Sequence, residues 1–129
     1  MVPTRFAHVF LLEPKADLRH ALEELLSAQG YLVVACDSLP DVLTRAAATR
    51  CDLALIAWQG MQGLLAEEHR HDLAELAERL PMVIMVPRSW FRFLQPPDLA
   101  VRGLLGRPFD AEELLECVAR NIESAAVRS

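Results

Sequence analysis

The sequence predicts one α/β domain built on a parallel sheet with helices on both faces. Five short apolar runs alternate with helical segments, which is the order expected when helices connect parallel strands. The chain has 129 residues, and 53% of them are hydrophobic, enough to bury a core and too many for a disordered chain. We therefore expect a single domain over residues 1–129, with its core from about 8 to 122 and a polar tail at each end.

The first strand and helix follow from an apolar run and a helical stripe. His8–Leu12 predicts a buried strand, which ends at Glu13-Pro14 because proline has no amide to donate to a neighbouring strand. Asp17 is the predicted cap of the first helix. Apolar residues recur there at helical spacing, at Leu18, Ala21, Leu22, Leu25 and Leu26.

The next elements are marked by turn and cap signals. Gly30 is typical of the left-handed residue that ends a helix, and residues 31–36 predict the second strand. Ser38 resembles the cap of a short helix over 42–49, with proline tolerated in its first turn. The third strand, Leu53–Ala57, is a continuous apolar run, as expected for a strand covered on both faces.

The second half continues the alternation with one irregular part. We expect a helix over about 64–79, a fourth strand over 82–86, and an irregular segment over 87–99, where two consecutive prolines prevent a helix. A weak fifth strand lies within 101–106. Asp110, with Glu113 three residues later, predicts the start of the last helix, whose buried face holds Leu114, Leu115, Val118 and Ile122.

Five parallel strands with right-handed crossovers fit either a dinucleotide-binding fold or a flavodoxin-like fold. Five strands in about 120 residues favour the flavodoxin-like fold. No glycine-rich phosphate-binding motif is present, so no cofactor is expected. His69 and His71 do not share a helix face, so no metal site is expected either.

The net charge, the length of the apolar runs and the cysteines indicate where in the cell the protein is expected. The net charge of −5 argues against nucleic-acid binding by this domain, and no apolar run approaches the roughly 18 residues that span a membrane. The cysteines, Cys36, Cys51 and Cys117, are odd in number and lie in apolar surroundings, as expected of reduced core residues. We therefore expect a cytoplasmic protein.

Several short stretches appear in the order and spacing of one known family. They are Leu18-Arg19, Leu25-Leu26, Gly30-Tyr31, Asp52-Leu53-Ala54-Leu55-Ile56, Gly60-Met61-Gln62-Gly63, Pro81-Met82 and Arg107-Pro108-Phe109. From about residue 8 to 122 the chain resembles the receiver domain of bacterial two-component response regulators. The resemblance implies the strand order 2-1-3-4-5 and a site at the carboxyl ends of strands one, three, four and five.

The site residues of that family are mostly missing here. The resemblance implies two acidic residues after strand one, a phosphorylated Asp ending strand three, a Thr or Ser ending strand four, and a Lys ending strand five. The corresponding residues here are Glu13 and Pro14, Ala57, Val86, and Arg107. We therefore expect no phosphorylation at the usual position and a poor site for Mg²⁺, which prefers carboxylate and phosphate oxygens.

Two interpretations remain open for the charged residues at this edge. Arg107 either reaches Glu13 across the top of the sheet, or both side chains point into water. Trp58 follows Ala57 at the mouth of the site and is a candidate to plug it. The nearest acids in sequence, Asp52 and Glu67, are expected at the wrong end of the strand or in the next helix.

An aromatic cluster is the candidate partner surface. Trp90, Phe91 and Phe93 either fill the core or, together with Leu104, form a surface for a protein partner. In the receiver family the fourth helix, fifth strand and fifth helix form the usual dimer and output face. These residues would lie on that face, which makes a homodimer one form the partner could take.

The function expected from the resemblance is that of a degenerate receiver in two-component (phosphorelay) signalling. Such a domain would be a protein-interaction module, not an enzyme, acting on a protein partner or a fused output domain. One alternative is a small-molecule sensor near Glu13, Trp58 and Arg107. A small α/β enzyme with an unrecognised site is the other, although no base and nucleophile pair is visible.

Overall fold

The computed structural model describes residues 7–57, 75, 78, 81–89 and 103–128, and the surroundings of side chains as far as residue 122 in the last helix. The helix expected over 64–79 therefore lies outside the described residues, except for Glu75 and Glu78, which are helical. The turn after the third strand and most of the irregular segment also lie outside them.

Five strands and three helices have described bounds. They are β1 (His8–Leu12), α1 (Ala16–Ala28), β2 (Leu32–Cys36), α2 (Leu39–Ala48), β3 (Leu53–Ala57), β4 (Met82–Pro87), β5 (Gly103–Arg107) and α3 (Ala111–Arg128). The strands form one sheet in the order β2-β1-β3-β4-β5, and every pairing is parallel. The predicted flavodoxin-like fold and strand order are confirmed.

Side chains alternate between the two faces of the sheet and build two apolar clusters. The first packs beneath α1 and α3 and includes Leu11, Leu55 and Met85. The second packs beneath α2 and includes Phe10 and Ile56. Because the inner strands are covered on both faces, each reads as a continuous apolar run rather than an alternating one.

Capping chemistry explains where the helices begin. The Ser38 hydroxyl accepts a hydrogen bond from the Asp41 amide at 3.3 Å, so α2 begins at Leu39 rather than at the expected residue 42. Asp110 and Glu113 cap each other reciprocally, with amide-to-carboxylate distances of 2.8 and 3.3 Å. Both predicted caps are confirmed.

The prediction that Asp17 caps the first helix is wrong. The helix begins two residues earlier, with Lys15 at the cap position and no side-chain hydrogen bond there. The Lys15 amide instead donates to the Glu13 carboxylate, which turns the chain before Asp17 is reached. Asp17 lies in the first helical turn, where its negative charge interacts favourably with the helix dipole and stabilises the helix.

Two further features agree with the sequence. Gly30 has a φ of 94°, the left-handed conformation expected where α1 ends. No helix within the described ranges is long and apolar enough to cross a membrane.

Candidate functional site

The carboxyl ends of four strands meet at one edge of the sheet. In the register of the strands, Leu12 lies opposite Ile56, Ala57 opposite Met85, and Pro87 opposite Arg107. The edge therefore brings together Glu13, Ala57, Val86 and Arg107, as the sequence predicted. Trp58, the remaining residue expected at the mouth of this site, lies outside the described residues.

Glu13 is the central charged group of this edge. Its side chain is 1% exposed, and it is the only buried charged residue among those described. One carboxylate oxygen, Oε1, accepts a hydrogen bond from the Arg107 guanidinium, and the other, Oε2, accepts one from the Lys15 amide at 3.1 Å. The interpretation in which Arg107 reaches Glu13 is confirmed, and the alternative in which both side chains point into water is wrong.

The Glu13–Arg107 ion pair connects distant strands. β1 and β5 are three positions apart in the sheet, or about 14 Å at the usual strand spacing. The two side chains therefore meet across the ends of β3 and β4. Arg107 is 26% exposed, so the pair is open to solvent mainly from its cationic side.

Arg19 holds the backbone on the other side of Glu13. Its guanidinium Nη1 donates to the Glu13 carbonyl at 2.8 Å and lies 3.4 Å from the Pro14 carbonyl. The Glu13 amide also donates to the Cys36 carbonyl at 3.2 Å. This role of Arg19 was not predicted from the sequence, where the only available signal was its position one turn into the first helix.

Ala57 offers no reactive group at the end of β3. It is 5% exposed, and its methyl group belongs to the cluster beneath α1 and α3. Val86 is fully buried on the opposite face, in the cluster beneath α2. An acyl phosphate needs a carboxylate nucleophile, and a hydroxyl donor must point at the transferred group. Neither side chain can supply these functions.

The residues of this edge do not fit a divalent metal ion. Mg²⁺ requires near-octahedral oxygen ligands, usually including one or two carboxylates. Glu13 supplies the only carboxylate among Glu13, Pro14, Ala57 and Arg107, and its Oε1 faces the Arg107 cation. Within the part of the chain that the structure describes, no three acidic, histidine or cysteine side chains gather into a metal-binding group.

Asp52 lies at the opposite edge of the sheet, as expected. Its Oδ2 accepts from the His8 amide at 2.7 Å, and its Oδ1 accepts from Arg50 Nε at 3.0 Å. These bonds close the amino-terminal ends of β1 and β3. Asp52 therefore cannot replace the carboxylate that is missing at Ala57.

The cysteines are unsuited to nucleophilic chemistry. Burial raises the pKa of the Cys51 thiol to about 12 and that of the Cys36 thiol to about 11. Burial also raises the pKa of Cys117. The raised pKa values keep these three thiols protonated at neutral pH. They are therefore unreactive, because the thiolate is the nucleophilic form.

The proposed partner surface is only partly described. Leu104 on β5 is half-buried and packs against the cluster beneath α2. Trp90, Phe91 and Phe93 lie outside the described residues. The role of these four residues in contacting a partner stays a prediction.

Comparison with known proteins identifies the fold. No protein-family model and no curated protein matches the chain. Among solved structures, the receiver domain of the TMAO respiratory system response regulator TorR has a TM-score of 0.77 at 17% identity, with 92% of this chain and 98% of TorR's covered. The signal receiver domain of an HD domain-containing protein from Pseudomonas fluorescens Pf-5 has a TM-score of 0.79 at 18% identity, with 99% and 95% covered.

A third similar structure belongs to a longer protein. NtrX from Brucella abortus, in complex with ADP, has a TM-score of 0.78 at 15% identity, with 95% of this chain covered. The chain spans only 28% of NtrX. At these identities the likeness establishes the receiver fold and nothing about activity.

Proposed function

We propose that the chain is a receiver-type signalling module that takes up no phosphoryl group at the end of β3 and acts by binding a protein. The observation that carries this proposal is Ala57, a buried methyl group where the receiver fold would need a carboxylate. Val86 and Arg107 support it, because neither reproduces the hydroxyl and the lysine that the resemblance implies. A receiver without the phosphorylated group keeps the surface of the fold and loses its chemical switch.

The kind of partner is inferred from the longer proteins in which similar receiver domains occur. One similar structure is the receiver domain of an HD domain-containing protein, and another, NtrX, is more than three times the length of the matched part. A protein partner or a fused output domain in two-component signalling is therefore the proposed target, within the cytoplasm. The module itself has no enzymatic role in this proposal.

Nuclear magnetic resonance tests the proposal. Beryllofluoride with Mg²⁺ mimics an aspartyl phosphate, so ¹H–¹⁵N spectra are recorded before and after its addition, with the TorR receiver domain as the positive control. We expect unchanged spectra for this chain and shifted resonances for the control. Saturable shifts in residues that border Ala57 would show that the site still accepts the phosphate mimic and would overturn the proposal.

A homodimer is the simplest form of the interaction, and light scattering tests it. Trp90→Ala and Phe93→Ala alter the proposed partner surface, whereas Ala47→Ser alters an exposed position on α2 and is the control. If the aromatic surface joins two copies, the wild type and the control are dimers at micromolar concentration and the two aromatic variants are monomers. A monomeric wild type would remove self-association and leave a different protein as the partner.

A further inference from the structure

The Arg107 guanidinium occupies the position from which an incoming divalent cation would bind the Glu13 carboxylate. Glu13 Oε1 is bound to Arg107, Oε2 to the Lys15 amide, and the carboxylate is 1% exposed. A metal ion could approach this carboxylate only by displacing a cation that the protein itself supplies. Arg107 therefore opposes metal binding at this edge of the sheet, whatever residue stands at position 57.

From this geometry we infer that Arg107 is a built-in cation, which bars divalent metal ions from the site even if a carboxylate is restored at position 57. This inference rests on the proposed function but concerns a second obstacle. In the strand register the residues next to the pair Leu12–Ile56 are Glu13 and Ala57. An Asp at position 57 would therefore lie about one strand spacing from Glu13, near the path of Arg107.

The surroundings of the pair make Arg107 a fixed cation and not a mobile one. Arg19 donates to the Glu13 carbonyl and the Glu13 amide donates to the Cys36 carbonyl, so the backbone of Glu13 is fixed. The Lys15 amide donates to the Glu13 carboxylate and orients it toward Arg107. On the other side, Arg107 is the last residue of β5 and is paired with Pro87 in the sheet. The backbone is therefore held on both sides of the ion pair, at Glu13 between β1 and α1 and at Arg107 in β5.

Metal binding by the wild type and two variants of the full chain separates the two obstacles. Isothermal titration calorimetry with Mg²⁺, and with Mn²⁺ as a second probe, is performed on the wild type, on Ala57→Asp and on Ala57→Asp/Arg107→Met. We expect no binding by the wild type and none by Ala57→Asp, since the new carboxylate is paired with the guanidinium. The double variant frees two neighbouring carboxylates, and we expect it to bind Mg²⁺ with an affinity at least about tenfold above the weakest that the titration detects.

A second double variant, Ala57→Asp/Arg107→Gln, guards against misfolding, and circular dichroism shows which variants fold. The inference is overturned if Ala57→Asp binds Mg²⁺ as tightly as a folded double variant, or if no folded double variant binds Mg²⁺. The proposed function fails on a different result, namely a response of the wild type to beryllofluoride. The two failures are therefore distinguishable.

Discussion

Replacing Arg107 with Met is the perturbation whose effect the structure specifies best. Methionine keeps an unbranched apolar stem of similar length and removes the charge, so the packing of the stem is largely retained. The change leaves the Glu13 carboxylate 1% exposed and without its cation, with the Lys15 amide as its remaining described hydrogen-bond donor. The cost therefore comes from an uncompensated buried charge rather than from a lost surface contact.

Removing one partner of a buried ion pair costs about 3–5 kcal/mol. We expect the lower end, about 3 kcal/mol, because Arg107 is 26% exposed and water reaches the pair from that side. For a domain of this size that corresponds to a fall in Tm of roughly 10 °C. The double variant Glu13→Gln/Arg107→Met removes the stranded charge, so it should be more stable than Arg107→Met by about 2 kcal/mol.

Urea unfolding at neutral pH is measured for the wild type, Glu13→Gln, Arg107→Met and the double variant, which together form a double-mutant cycle. The matched control is the exposed pair Glu116–Arg120 on α3, with a distance of 3.8 Å and side chains 75% and 68% exposed. Glu116→Gln and Arg120→Met should show a coupling of about 0.3–0.5 kcal/mol. A coupling between Glu13 and Arg107 no larger than that of the control pair would show that burial does not strengthen this ion pair.

Four further predictions concern the rest of the fold. Raising the Cys36 pKa from 9.0 to about 11 lowers its thiolate fraction roughly a hundredfold at pH 8. Iodoacetamide should therefore label Cys36, and Cys51 with its pKa of about 12, far more slowly in the native protein than in urea. Equal rates would contradict the raised pKa of these two thiols. Because the folded protein retains a thiol proton that the unfolded chain releases, the free energy of unfolding should fall between about pH 9 and pH 11, and urea titrations at the two ends of that window test the sign. Ser38→Ala removes the cap of α2 and should cost about 1 kcal/mol in urea unfolding, with Ser38→Asp restoring most of it; equal stability of all three proteins would exclude the cap. Gly30→Ala forces a β-carbon into a left-handed residue and should cost about 1 kcal/mol, with Gly30→Asn less affected, and a neutral alanine would contradict the positive φ.

The sheet was predictable because its central strands are covered on both faces. Leu53–Ala57 is fully apolar for that reason, and the order of strands and helices along the chain leaves few parallel topologies. The meeting of Glu13 and Arg107 at one edge followed from the same reasoning, since the carboxyl ends of parallel strands lie together. The caps at Ser38 and Asp110 were also predictable, because their hydrogen bonds join residues only three positions apart.

The details that could not be predicted depend on side-chain hydrogen bonds that no sequence motif signals, whether the partners are near in the chain or far apart. Asp17 is an ordinary cap residue, but the Glu13 carboxylate captures the Lys15 amide and starts the helix earlier. Whether Arg107 would bond to Glu13 or point into water could not be decided from residue types. Burial of Glu13 decides it, and that burial is accompanied by the bond from Arg19 to the Glu13 carbonyl, which no local motif signals.

Intact-mass spectrometry after incubation with acetyl phosphate and Mg²⁺ shows whether this chain accepts a phosphoryl group, with the TorR receiver domain treated in parallel. We expect this chain to keep its mass, because Ala57 has no side-chain oxygen to accept a phosphoryl group. A mass increase of one phosphoryl group, mapped to an acidic residue at the carboxyl edge of the sheet, would contradict it.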